Sequence, residues 1–163
     1  MNIYTNGYAI GGISADAVEE TIQCNSDMEE RIVFADFDAG LGYEHWMGRD
    51  VEIKGYGDGV YLETEYKLSD ALLKALSLHT KGVLEIFVAE NMGSYGCIYY
   101  LHGKKILDRL SVLENNLTDV DSGQEFKGHA TVKVIEHLFK QLTGSVFREA
   151  IKEKGKLYLI TKQ

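Results

Sequence analysis

At 163 residues, 45% of them apolar, the chain has room for one domain with a core of its own and needs no disulfide staples. Two cysteines, no proline and a formal charge of −8 exclude a disulfide scaffold and Pro-rich linkers, and they set the chain against polyanions such as nucleic acid and acidic membrane. No 18 apolar residues run together and the opening MNIYTNGYAIGG has no basic start, so neither a membrane span nor an export signal is expected; a cytoplasmic location is.

In chain order, the stretch from Ile3 to Ile10 carries tyrosine and isoleucine but is interrupted by Asn6-Gly7, which reads as a weak strand or hairpin. Ser14 suits the cap of a helix whose Ala15, Val18 and Ile22 recur at three- and four-residue spacing. RIVFADF, residues 31–37, is apolar on both faces and predicts an interior strand. DAGLGYEHWMGRD, residues 38–50, is a loop with the single tryptophan, Trp46, close to Tyr43 and His45. Large aromatics in a loop suit an interface anchor or a lid over the core edge.

Residues 51–68, VEIKGYGDGVYLETEYKL, predict a hairpin turning at Gly57-Asp58-Gly59. One face collects Val51, Ile53, Val60, Leu62 and Tyr66; the other collects Glu52, Lys54, Tyr56, Tyr61, Glu63 and Glu65. The second set is expected to face solvent, two tyrosines framed by three carboxylates with Asp58 at the tip. Like charges across the strands, such as Glu52 beside Glu63 or Glu65, cost a few tenths to about 1 kcal/mol. A helix capped by Ser69 follows to Thr80, its apolar side formed by Leu72, Leu73, Leu76 and His79.

Residues 82–114 predict a three-stranded meander, with turns at Met92-Gly93 and, in type II′ form, at Gly103-Lys104. Two-residue turns place Val88 opposite Cys97, Ile86 opposite Tyr99 and Leu84 opposite Leu101, then Leu101 opposite Ile106 and Tyr99 opposite Asp108. Residues 115–128 read as a polar loop. His129–Leu142 is the strongest helix, with Thr131, Ile135, Leu138, Phe139 and Leu142 on one stripe and Gly144 as stop. A short helix with Phe147 and Ile151 comes next, then LYLIT, residues 157–161, as an edge strand guarded by Lys156 and Lys162. The expected fold is α+β: one domain over 1–163 with an antiparallel sheet of about five to seven strands and three or four helices packed on it.

Motifs for catalysis are missing. Asp36 and Asp38 (D-F-D) would point to one side of a strand end, as a divalent cation requires, but no third acid keeps register with them. Cys97 and His102 lie five apart on one strand, hence on opposite faces, and neither G-x-S-x-G nor a phosphate-binding glycine motif occurs. No cofactor and no metal are expected.

What remains is charge. Residues 1–66 hold 14 acids and three bases, Arg31, Arg49 and Lys54, for a net −11; residues 67–163 hold 11 acids and 14 bases, for a net +3. Such a pole speeds encounter with a basic partner, and nearby rings hold the complex. A small, acidic, tyrosine-bearing, one-domain chain of this kind resembles in type the immunity proteins with which bacteria neutralise secreted nuclease toxins, whose substrate clefts are basic. The resemblance implies a stoichiometric inhibitor that contacts its partner through Tyr43, Trp46, Glu52, Tyr56, Asp58, Tyr61, Glu63 and Glu65, the carboxylates competing with phosphate for lysine and arginine. The alternatives are a small enzyme or ligand binder using Asp36, Asp38, His45 and Cys24, and a phage-type inhibitor that mimics nucleic acid.

Overall fold

The computed structural model describes residues 3–26, 32–36, 50–109, 116–118, 125–127 and 130–162. The α+β class and the antiparallel sheet hold. Among the described residues eight strands join one sheet, and every pairing in it is antiparallel, as expected.

The strand at the middle of that sheet is β1 (Tyr4–Gly11). It pairs on one side with β4 (Gly59–Thr64) and on the other with β5 (Gly82–Ala89). It runs through Asn6-Gly7 without turning. The reason is local, since a Cβ on Gly7 would collide with the Leu62 carbonyl and come within 2.9 Å of the Tyr61 ring. Glycine there admits a neighbour's ring and does not turn the chain.

Outward from β4 lie β3 (Asp50–Gly55), β10 (Lys156–Lys162) and β2 (Ile32–Asp36); outward from β5 lie β6 (Ser94–Leu101) and β7 (Lys104–Arg109). Two expectations are therefore exchanged. The C-terminal strand, expected at an edge, is interior between β2 and β3, and β2, expected inside, is the last strand on its side among the described residues. Residues 116–118 and 125–127, expected as loop, pair as a small separate hairpin, β8 and β9.

Four α-helices occur among the described residues: α1 (Ala15–Asn25), α2 (Asp70–His79), α3 (Ala130–Thr143) and α4 (Phe147–Ala150). They cover both faces of the sheet. Val18 and Ile22 of α1 and Leu72, Leu73 and Leu76 of α2 pack with Tyr8, Ile10, Val51, Ile53, Val60 and Leu62. Ile135, Leu138, Phe139 and Leu142 of α3 with Phe147 of α4 pack against Ala9, Tyr61, Leu84, Ile86, Cys97 and Tyr99. Ser69 caps α2, its side chain accepting the Leu72 N–H at 3.1 Å, whereas His79, expected on the apolar side, is exposed.

The meander forms, but its registers shift. A 3₁₀ turn over Glu90–Met92 lengthens the first connection to four residues, so Val88 stands opposite Tyr95, Ile86 opposite Cys97 and Leu84 opposite Tyr99. A shift of two preserves which residues share a face. At the second connection His102 (φ 53°) and Gly103 (φ 80°) both adopt left-handed backbone, which makes a type I′ turn and places Leu101 opposite Lys104. A bulge between Tyr99 and Tyr100 then sets Tyr99 opposite Leu107, not Asp108.

Candidate functional site

The hairpin of β3 and β4 keeps the predicted alternation. Val51, Ile53, Val60 and Leu62 lie on one face and Lys54 and Tyr61 on the other, with Glu52 directly opposite Glu63. The second face is not the solvent face, and this corrects the expectation for its tyrosines. Tyr61 is 0% exposed and meets Phe139 of α3 edge-on at 5.3 Å; Tyr56 is half-buried and also packs on Phe139. A buried ring cannot anchor a partner.

The polar groups on this covered face satisfy one another. Lys54, 3% exposed, places its Nζ 3.0 Å from Glu63 and 3.6 Å from Glu52, so an ammonium offsets the repulsion of the facing carboxylates. The same Nζ donates to the carbonyls of Ala150 (3.2 Å) and Ile151 (3.4 Å), holding the C-terminal turn of α4. The Thr5 hydroxyl donates to Glu63, and the Tyr61 hydroxyl donates to Thr5 Oγ1 at 2.7 Å. Burial first, then the nearby Glu153, Glu63 and Glu52 carboxylates, push the Tyr56 phenol up to about 12. Burial raises the Tyr61 phenol further.

Asp58 lies at one end of the sheet, and Asp50, Glu65 and the Lys54-bound Glu63 lie at the other. At the hairpin tip, Asp58 is exposed beside Gly144, its N–H donating to the Thr143 carbonyl at the end of α3. At the other end, where β1 and β3 begin and β4 finishes, Asp50, Glu63 and Glu65 line a cleft of about 220 Å³ with Tyr4, Thr5, Asn6 and Thr64. Six residues of strand, roughly 20 Å at about 3.3 Å per residue, lie between the two ends.

Among the described residues no basic side chain lines the rim cleft. Its exposed aromatic is Tyr4, 63% exposed, whose hydroxyl donates to Glu65 Oε1 at 2.7 Å. That hydrogen bond is the largest cause holding the Tyr4 phenol above its ordinary value. Tyr4, Thr5, Asn6, Asp50 and Thr64 were not among the predicted site residues. Recognising β1 as a strand beside β4 is what brings Tyr4, Thr5 and Asn6 to Glu63 and Glu65.

Tyr43, Trp46, Asp38 and His45 lie outside the described residues. Asp36 ends β2, and Cys24 is exposed on α1. Among the described residues no three His, Cys, Asp or Glu side chains are grouped as a metal ion requires, and no helix is long and apolar enough to cross a membrane. Comparison with protein-family models, curated proteins and solved structures returned no match.

Proposed function

We propose that the protein is a stoichiometric binder of a basic protein, acting in the manner of an immunity protein on a secreted toxin, and that the rim cleft is where a partner lysine or arginine enters. The observation that carries this reading is the composition of the cleft: three carboxylates, two threonine hydroxyls, an amide and an exposed phenol, with no cation among the described lining residues. Lys54, the described basic residue of the acidic segment 1–66, is withdrawn beneath α3 and α4 and competes only from the Glu63 side. A guanidinium in the cleft would find acceptors around a planar fork, and Tyr4 would cover it with a ring. Neither Cys24 nor Cys97 is in a disulfide, which fits a reducing cytoplasm, where such a binder would shield its host.

The test is fluorescence anisotropy with a labelled hexa-arginine peptide, comparing two variants of equal charge change. Glu65→Lys, in the cleft, is expected to weaken binding tenfold or more, about 1.4 kcal/mol, and Asp58→Lys, at the far end, much less. Equal losses would reduce the interaction to net charge and remove the cleft from the account. In the same assay, wild-type binding should weaken as salt rises from about 0.05 to 0.5 M.

A further inference from the structure

Glu85 stands on β5 within the sheet face that α1 and α2 cover, 6% exposed, opposite Tyr8 of β1. Its Oε2 has two long contacts, the Tyr8 hydroxyl at 3.4 Å and Lys67 Nζ at 3.5 Å. Lys67 belongs to the connection between β4 and α2; its side chain is 60% exposed, and the ammonium lies 3.6 Å from the centre of the Phe87 ring. Tyr8 accepts the Leu68 N–H at 2.9 Å and can give its one proton either to the Tyr66 carbonyl, 3.3 Å away, or to Glu85. A carboxylate this buried, with its ion pair formed by a surface lysine, is poorly compensated for lost water.

We propose that Glu85 and Lys67 form a proton-operated cover over Phe87: ionised Glu85 holds Lys67 across the ring, and uptake of one proton from solvent lets the lysine swing away. In the protonated state the Glu85 hydroxyl donates to the Tyr8 oxygen, and Tyr8 commits its own proton to the Tyr66 carbonyl. The connection therefore stays anchored while the lysine leaves. Lys105 of β7 favours the ionised carboxylate but is itself paired with Asp70 of α2 at 3.4 Å, and Tyr100 of β6 donates to the same Asp70 at 2.9 Å. Burial, the largest influence on Glu85, raises its proton affinity.

The consequence reaches the surface. Phe87 stands opposite Asn6, which lines the rim cleft, so proton uptake adds apolar area beside the exposed Tyr4. The cover works by its own contacts and does not depend on the cleft taking a cationic partner.

NMR of the full-length protein tests it. Protons on the Lys67 Cε, held over Phe87, are expected to carry an upfield ring-current displacement while Glu85 is ionised. That displacement should vanish on acidification with the same midpoint as the Glu85 carboxyl carbon, and should be lost at every pH in Glu85→Gln. Phe87→Leu, as the assignment control, should abolish the displacement while Glu85 still titrates. A Lys67 displacement that persists after Glu85 is protonated, or that survives in Glu85→Gln, would overturn the proposal. Should Glu85→Gln fail to fold, the wild-type titration alone decides.

Discussion

Lys54 carries more of the local structure than any other single charged residue described. Removing it leaves Glu52 and Glu63 face to face, and takes a donor from the carbonyls that close α4. Lys54→Ala is therefore expected to destabilise the protein by about 3 kcal/mol, read from urea unfolding, because breaking a buried ion pair from one side strands the other. Glu85 makes the opposite contribution. Its folded carboxyl is raised by burial, so between the ordinary glutamate range and that raised value the folded form binds more protons than the unfolded one. Stability from this group falls as pH rises through that window. Unfolding midpoints across the window should show this slope in the wild type and lose it in Glu85→Gln; an unchanged slope would assign it to other groups.

At the scale of elements, α3 decides which face of the hairpin is inside. Its stripe of Thr131, Ile135, Leu138, Phe139 and Leu142, all buried, was legible from a 3.6-residue period, as were the helix start near residue 130 and the stop at Gly144. What that stripe covers was not legible, because alternation tells which residues share a face and not whether a helix lies on it. The missing link was β1. Once β1 joins β4 to β5, Tyr61 lies on the same surface as Leu84, Ile86 and Cys97, and that surface had already been read as apolar. The Glu52–Lys54–Glu63 arrangement was a second clue, since a lysine between facing acids suits a covered network better than a bare surface. Phe139→Ala, which removes ring contacts with Tyr56, Tyr61 and Phe147, should cost about 3–5 kcal/mol by chemical denaturation. Gly7→Ala should cost about 1–3 kcal/mol, because its methyl group meets the Leu62 carbonyl and the Tyr61 ring.

Across the whole molecule, a helix layer on each face leaves the strand ends as the places where the sheet's polar side chains reach solvent. The described acids of residues 50–65 are thus sorted by topology: Glu52 and Glu63 flank Lys54, Asp58 goes to the tip, and Glu63 also meets Asp50 and Glu65 at the rim. The proposed binding therefore depends on position as well as charge. The most direct measurement is a chemical-shift map of the isotope-labelled protein titrated with hexa-arginine peptide. Saturable shifts centred on Tyr4, Thr5, Asn6, Asp50, Thr64 and Glu65 are expected; shifts spread evenly over the acidic residues, or centred on Asp58, would contradict binding at the rim cleft.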